Sequence, residues 1–213
     1  MMLKIQILID NKDSWIVPYA YKFVFKLKEL GYNSKLIFEH DDVLEGDILC
    51  LLGCEKKFKF LRRNKFNLVV HESNLPLGRG MSPFTWQILE GKNEIPITLL
   101  EATDEIDAGL IYEKTTINLE GTELVDEWRM LQAEATFKLI ENFVLKFPEI
   151  CGFEQKGVPT YYSKRTFNDS KMDIQKSIID QFNLLRVVDN ERYPAWFEFK
   201  GQKFKLIIEK MER

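Results

Sequence analysis

Apolar residues follow two spacings along the N-terminal third of the chain. Short apolar runs of about four to eight residues are typical of buried strands, whereas apolar positions three and four apart are typical of a helix. Residues 17–30 have the helical spacing, and Gly31 marks the end of this predicted helix. The runs that predict strands cover residues 3–9, 33–38, 47–52 and 67–70. This order indicates a mostly parallel sheet with covering helices.

The basic segment between the third and fourth predicted strands has two interpretations. Residues 55–64 combine lysines and arginines with Phe58, Phe60 and Leu61, and we predict a helix there. Its charged side is expected to face solvent. The alternative is a basic patch that steers phosphate groups toward a site.

The same two spacings continue after residue 80. Ser82-Pro83 is typical of a helix start, and residues 95–101 and 110–117 are predicted strands. The longest helical pattern covers residues 123–146 and stops at Phe147-Pro148. We therefore predict that residues 1–152 form one main domain of the α/β class.

Composition changes after residue 152, where polar and aromatic residues replace the sheet pattern. Residues 174–188 predict a short helix. Residues 195–209 predict a β-hairpin with its turn at Gly201-Gln202. We expect residues 153–213 to form a small C-terminal subdomain that contains this hairpin.

The composition argues against several classes of protein. With 213 residues and a net charge of -3, the chain is not expected to bind nucleic acid through bulk charge. No apolar run reaches the roughly 18 residues that cross a bilayer, so no membrane segment is expected. Three cysteines without a close paired motif, together with only two histidines, predict no metal site and a reducing, cytoplasmic location. Glycine-rich dinucleotide loops and the serine-hydrolase elbow are also missing.

A polar, turn-forming loop interrupts the sheet pattern immediately after the fourth predicted strand. It opens with His71 and extends to Gly80, ahead of the helix that starts near Pro83. Asp107 then stands close to Gly109 in the turn between the next two strands. An imidazole exchanges protons near neutral pH, and a carboxylate beside it orients the ring and stabilises its charged form. The sequence therefore predicts a proton-transfer pair, His71 and Asp107, at the end of the sheet.

These residues belong to an ordered series of short motifs. A His-x-Ser-x-Leu-Pro loop is followed by Arg-Gly, by Pro-x-x-Trp at a helix start and by Asp-x-Gly. The residues concerned are His71, Ser73, Leu75, Pro76, Arg79, Gly80, Pro83, Trp86, Asp107 and Gly109. The series resembles the formyltransferases that use N10-formyltetrahydrofolate. Residues 164–173, 184–186 and 193–195 extend the similarity, which is closest to the bacterial sugar N-formyltransferases.

The resemblance implies a Rossmann-like fold and an enzyme that transfers a one-carbon group. A formyl group would move from N10-formyltetrahydrofolate to the amine of a nucleotide-linked amino sugar, in surface polysaccharide biosynthesis. The alternatives are methionyl-tRNA formyltransferase, glycinamide ribonucleotide formyltransferase, and a non-catalytic folate- or sugar-binding module with the same fold. We expect no nucleic-acid or membrane partner, and a homodimer stays open.

The resemblance also implies roles for particular residues. His71 would transfer protons, with Asp107 as its partner. The loop residues at the substrate would be Ser73, Leu75 and Pro76. The co-substrate would contact Arg79 and the segment formed by Leu99, Leu100, Glu101, Ala102, Thr103, Asp104 and Ile106. Arg79 has a second interpretation, in which it pins the loop through hydrogen bonds.

One position departs from the family pattern. The family places a catalytic asparagine two residues before the histidine, but this chain has Val69 there. Asn67, four residues before His71, is expected to lie too far along the strand to replace the missing amide. Asn74 in the loop is the predicted substitute, because a donor aimed at the oxyanion contributes about 2.7–4 kcal/mol of transition-state stabilisation. The departure keeps the non-catalytic alternative open.

Overall fold

A computed structural model describes residues 2–211. The strands, in chain order, are β1 (Lys4–Leu8), β2 (Asn33–Ile37), β3 (Gly46–Leu51), β4 (Asn64–His71), β5 (Arg79–Gly80), β6 (Glu94–Glu101), β7 (Ile111–Asn118), β8 (Tyr161–Tyr162), β9 (Ala195–Phe199) and β10 (Gln202–Leu206). The α-helices are α1 (Val17–Glu29), α2 (Pro83–Leu89), α3 (Val125–Lys146) and α4 (Phe182–Val187). Every element predicted before residue 147 is present, except the helix over residues 55–64.

Six strands form the central sheet, in the order β2-β1-β3-β4-β6-β7. The pairs among β2, β1, β3 and β4 are parallel, whereas β4–β6 and β6–β7 are antiparallel. The prediction of a mainly parallel α/β sheet is confirmed. Because β1 lies between β2 and β3, the strand order reverses there and leaves a crevice at the carboxyl ends, the usual ligand position in such sheets.

One face of the sheet carries the main core. Alternate strand residues such as Ile5, Ile7 and Ile48 are fully buried on this face, as the two-residue period of a strand requires. Helices α1 and α3 cover it, and the rings of Phe23 and Phe137 lie 4.8 Å apart where these helices meet. The two helices therefore pack as their apolar stripes predict.

The opposite face is covered by a non-helical segment, and the helix predicted over residues 55–64 is wrong. Only Leu61–Arg63 forms a turn of 3-10 helix there. Phe58 is buried against Leu8 and Leu49 of the sheet. Phe58 and Phe60 are two residues apart, which is strand spacing rather than helical spacing, and the sheet surface holds this segment extended.

The C-terminal region contains the predicted hairpin, formed by β9 and β10. Its turn is at Lys200-Gly201, one residue earlier than predicted, and both residues have positive φ, 50° and 76°. The helix predicted over 174–188 is shorter, because α4 begins at Phe182. A small separate core forms here, with Met172 and Leu185 among its buried residues.

Strands β5 and β8 connect this region to the loop after β4. They pair in parallel, with Arg79 opposite Tyr161 and Gly80 opposite Tyr162. A residue beyond the predicted boundary at 152 thus holds the loop that starts at His71, and the division into two domains stays a prediction. None of the helices within residues 2–211 is both long and apolar enough to cross a membrane.

Candidate active site

His71 is the last residue of β4, and its side chain is buried where that strand meets the loop. Its Nε2 atom lies 2.8 Å from the carbonyl oxygen of Gly78, and its Nδ1 atom lies 3.6 Å from Oδ1 of Asp107. Because a carbonyl oxygen only accepts hydrogen bonds, Nε2 must carry a proton and donate. Nδ1 is then the nitrogen that can gain or lose a proton, and it does so opposite a carboxylate.

The backbone positions the carboxylate of Asp107. Asp107 has φ 53°, in the left-handed region, which aspartate tolerates better than most residues. Its Oδ2 accepts a hydrogen bond of 2.9 Å from the backbone N–H of Gly80. At Gly109 a Cβ atom would collide with the carbonyl oxygen of Glu101. The Asp-x-Gly spacing is therefore a packing requirement of the turn that presents the carboxylate to His71.

The guanidinium group of Arg79 stabilises this turn through hydrogen bonds. Its guanidinium is buried and donates to Oε1 of Glu105 at 2.7 Å and to Oε1 of Gln155 at 2.9 Å. The Nε2 atom of Gln155 in turn donates to the carbonyl oxygens of Asp107 and Gly109, at 2.7 and 3.0 Å. Arg79 thus has structural partners, as in its second interpretation, but it contacts two side chains and reaches the backbone only through Gln155. Gln155 has no counterpart among the predicted site residues, since nothing in its sequence surroundings distinguishes it.

The first half of the predicted co-substrate segment belongs to the sheet. Leu99 and Leu100 are buried in β6. The backbone N–H groups of Glu101 and Ala102 donate to the carbonyl oxygens of Leu110 and Asn67, at 2.8 and 2.6 Å. These N–H groups are therefore engaged within the protein.

The carboxylate of Glu101 is also engaged within the protein. It accepts hydrogen bonds from the backbone N–H of Asn67 and from the hydroxyl of Tyr112, both 2.8 Å long. Burial raises the pKa of Glu101, although these hydrogen bonds act in the opposite direction. Burial likewise raises the pKa of Tyr112, and the Glu101 carboxylate adds to that rise.

The second half of the predicted segment is open to solvent. Thr103 caps its own turn through a 2.8 Å hydrogen bond from Oγ1 to the carbonyl oxygen of Glu105. Asp104 pairs with Lys57 at 3.3 Å. The side chain of Ile106 is 64% exposed next to Asp107. The turn thus presents an apolar side chain beside the carboxylate.

The loop residues predicted at the substrate mostly shape the loop itself. Ser73 is buried, and its carbonyl oxygen accepts a 2.7 Å hydrogen bond from Oγ1 of Thr98. Leu75 is buried in a small cluster with Leu100 and Ile111. Pro76 lines a cavity of about 550 Å³ on the outer side of the loop.

Val69 packs against the cluster of Leu75, Leu100 and Ile111, so the family's amide position is apolar in this chain. Asn74 is exposed, and its Oδ1 accepts a 2.7 Å hydrogen bond from Nζ of Lys114. This contact directs the Asn74 amide toward Lys114. Among the hydrogen bonds of residues 2–211, none joins Asn74 to His71.

A second cavity, of about 480 Å³, lies beside the His71 loop at the carboxyl ends of β1 and β3. Such a volume is typical of small-molecule sites. Residues from both halves of the chain line it, including Asn11, Trp15, Glu72, Gln132, Lys164 and Arg192. His71 is not among the lining residues, but Glu72 is. Glu72 was missed at the sequence level, although its place directly after His71 was a signal.

The carboxylate of Glu72 accepts a 2.6 Å hydrogen bond from Nε2 of Gln132 on α3. Its backbone carbonyl oxygen accepts another of 2.6 Å from Nε2 of Gln87 on α2. Burial raises the pKa of Glu72, while the nearby His71 and the Gln132 hydrogen bond act in the opposite direction. Two helices therefore hold this acidic residue at the cavity wall.

No protein-family model matches the sequence. Among solved structures, methionyl-tRNA formyltransferase from Clostridium thermocellum superposes with a TM-score of 0.82 at 22% identity, over 100% of this chain and 94% of that chain. A sugar N-formyltransferase from a Shewanella species has a TM-score of 0.71 at 16% identity, over 100% of both chains. HypX from Aquifex aeolicus in complex with tetrahydrofolic acid has a TM-score of 0.77 at 17% identity, over 95% of this chain but 37% of that one. The chain therefore has the fold that these formyltransferases share.

Proposed function

Because the chain has the formyltransferase fold, we propose that it is an N-formyltransferase. It moves a formyl group from N10-formyltetrahydrofolate to the amine of a nucleotide-linked amino sugar, in surface polysaccharide biosynthesis. The observation that carries this proposal is the buried pair at the end of β4, in which Nδ1 of His71 lies 3.6 Å from Oδ1 of Asp107. The fold and the pair are independent, since the fold alone does not require a histidine and a carboxylate to converge.

The reaction needs a group that carries protons in two directions. The attacking amine loses a proton, and the departing folate nitrogen gains one. An imidazole suits both steps. In this site the Gly78 carbonyl holds Nε2–H at 2.8 Å and leaves Nδ1 for exchange. Asp107 faces Nδ1 and stabilises the ring when it is charged.

The donor side is the exposed turn next to Asp107. The folate supplies the formyl group, and its pteridine ring is flat and apolar on its faces. Ile106, at 64% exposure, offers an apolar surface for such a ring. The backbone of Thr103 to Ile106 offers hydrogen-bonding groups at its edge. A solved structure with this fold holds tetrahydrofolic acid, which supports the same class of donor here.

The acceptor side is the 480 Å³ cavity that Glu72 lines. Lys164 and Arg192 are exposed at its wall, and neither makes a salt bridge within residues 2–211. Two such cations suit the phosphates of a nucleotide-linked sugar. The sugar N-formyltransferase from a Shewanella species, which has this fold, supports the amino-sugar acceptor. We place the reaction in the cytoplasm and leave a homodimer to be measured by analytical ultracentrifugation.

Two alternatives have observations in their favour. The methionyl-tRNA formyltransferase is matched over 94% of its length, so the length of this chain does not argue against a tRNA acceptor, although its net charge of -3 does. A non-catalytic module is favoured by the apolar packing of Val69. Without an oxyanion donor at that position, the rate falls by about 10²–10³ unless another group replaces it.

The test is a formyl-transfer assay that follows tetrahydrofolate formation spectroscopically. The acceptors are a panel of nucleotide-linked amino sugars, glycinamide ribonucleotide and charged methionyl-tRNA. We expect turnover with an amino sugar, and a loss of about 10²–10⁴-fold in kcat for His71→Asn and for Asp107→Asn. His40→Asn is the matched control, because His40 also faces a carboxylate, that of Asp10 at 3.1 Å, and its rate should stay within about twofold. Folate binding without turnover, or turnover unchanged in His71→Asn, excludes the proposal.

A further inference from the structure

Glu72 holds one carboxylate oxygen in the protein and presents the other to the cavity. Oε1 accepts the 2.6 Å hydrogen bond from Gln132. Oε2 makes no hydrogen bond to another residue within residues 2–211. It is also not one of the fully buried, unpaired polar atoms of that range, so it is accessible to solvent. Glu72 is half-buried, and Gln132 is 8% exposed. A carboxylate that Gln132 holds through one oxygen, and whose other oxygen has no hydrogen bond from another residue, is therefore part of the wall of the proposed acceptor cavity.

The imidazole of His71 makes its own contacts with the loop and with the Asp107 turn. Its imidazole is buried, with Nε2 bonded to Gly78 and Nδ1 facing Asp107. It does not line the cavity, although the next residue does. Glu72 follows the last residue of β4 and lies in the bend after it. His71 thus contacts Asp107, while the neighbouring Glu72 borders the cavity.

Resting on the function proposed above, we propose that Glu72 receives the amine of the acceptor. Its free oxygen binds the substrate's ammonium group and takes one proton from it. A primary ammonium ion has no lone pair, so this deprotonation must precede the attack on the formyl carbon. His71 and Asp107 then serve the donor side, while Glu72 serves the acceptor side of the same loop.

The atoms of the step balance without an additional reactant. The ammonium group gives one proton to the Glu72 carboxylate, and the resulting amine forms a bond from nitrogen to the formyl carbon. The bond between that carbon and N10 of the folate breaks. A second proton from the former amine passes to N10, through His71. The proton on Glu72 is released to water, so each turnover of an ammonium substrate yields one formamide, one tetrahydrofolate and one proton.

The charges around Glu72 bear on the pH at which it works. Burial has the largest effect on the pKa of Glu72 and raises it. On the loop side, His71 lowers this pKa and Asp107 raises it. On α3 stands Arg129, neutralised by Asp189 at 2.9 Å. Across the cavity are Glu55, Lys164, Arg165 and Arg192. A carboxylate whose pKa is raised toward neutrality is a better proton acceptor at working pH than an ordinary one.

The experiment compares wild type with Glu72→Gln, using N10-formyltetrahydrofolate and a thymidine-diphosphate 4-amino sugar as probes. The glutamine keeps the size of the side chain and an oxygen for the Gln132 hydrogen bond. At pH 7 we expect kcat/KM for the amino sugar to fall by about 10²-fold, with the KM of the formyl donor within about twofold. At pH 9 the loss should shrink to below about tenfold, because an amine with a pKa of about 8 is then already neutral. Glu94→Gln, an exposed glutamate at the start of β6, is the control.

A second variant guards against a merely structural effect. Gln132→Met keeps the Glu72 carboxylate but removes the donor to Oε1, which raises the pKa of a carboxylate. The acidic limb of its kcat/KM profile should move to higher pH. A loss in Glu72→Gln that is the same at pH 7 and pH 9, or no loss at all, overturns the role of Glu72. If wild type itself transfers no formyl group to any amine in the panel, the proposed function fails instead, so the two failures are distinguishable.

Discussion

Removing the guanidinium of Arg79 should destabilise the turn that carries Asp107. In Arg79→Met the apolar stem is kept, while the hydrogen bonds to Glu105 and Gln155 are lost. The bond to half-buried Gln155 is the larger loss, about 1.5–3 kcal/mol for a charged donor. Glu105 is 71% exposed, so solvent screens that pair and its loss costs at most about 1 kcal/mol. The free energy of unfolding should therefore fall by about 1.5–4 kcal/mol.

Urea unfolding measures this change directly, with Arg62→Met as the control. Arg62 is exposed, and its replacement should alter stability by less than about 0.5 kcal/mol. In a thermal scan, Arg79→Met should melt about 2–4 °C lower for each kcal/mol lost. The alternative role, direct contact with the co-substrate, predicts unchanged unfolding and a higher KM for the formyl donor. If Arg79→Met and Arg62→Met unfold at the same urea concentration, the pinning role is refuted.

Three further substitutions test the backbone and one buried charge. Gly80→Ala should lower the free energy of unfolding by at least about 1–3 kcal/mol. The reason is that Gly80 has φ 101° and a Cβ there would lie 2.5 Å from the carbonyl oxygen of Tyr162. A melting temperature equal to that of wild type contradicts this prediction. Lys200→Asn should raise the free energy of unfolding by about 0.5–1 kcal/mol, since asparagine adopts the φ of 50° at this hairpin turn more readily than lysine. A melting temperature below that of wild type contradicts this prediction. Burial raises the pKa of Asp10, but hydrogen bonds from two backbone N–H groups and from His40 outweigh it, so the pKa lies below its ordinary 3.8. The stability that Asp10 contributes is thus present above pH 3.8 and is lost as the pH falls through the lower, folded-state pKa. Asp10→Asn should therefore be less stable than wild type at pH 7, and urea titrations should show this difference in stability closing below about pH 3.8. A difference that persists in acid speaks against the effect.

Local pattern was sufficient for most of the sheet and its helices. The period-two runs of β1 and β3 and the helical stripe of α1 bury large apolar surfaces, so pattern and packing agree there. The segment over residues 55–64 shows where this agreement ends. Its basic residues permit a helix, but the burial of Phe58 against the far face of the sheet decides the conformation. The hairpin turn was misplaced by one residue because Gly201 can occupy either turn position, and the strand register alone distinguishes them.

The candidate site divides in the same way. The motif series and its resemblance to the formyltransferases led to the prediction that His71 pairs with Asp107, and the two side chains lie 3.6 Å apart. The role of Arg79 needed the positions of Glu105 and Gln155, which are 26 and 76 residues away. Asn74 satisfied the residue type expected for an oxyanion donor, but its amide contacts Lys114, which lies across the sheet.

Three features follow from the amino-acid sequence alone: the order of strands and helices along the chain, the polar loop after β4, and the residue types that can exchange protons. These features depend on side-chain period and on chemistry within a few positions. Only the folded molecule decided that residues 161–162 pair with the loop, that Gln132 donates a hydrogen bond to Glu72, and that a cavity opens beside Glu72. These are contacts between segments 60 or more residues apart in the chain. No local rule encodes them, because they depend on how separate apolar faces bury one another.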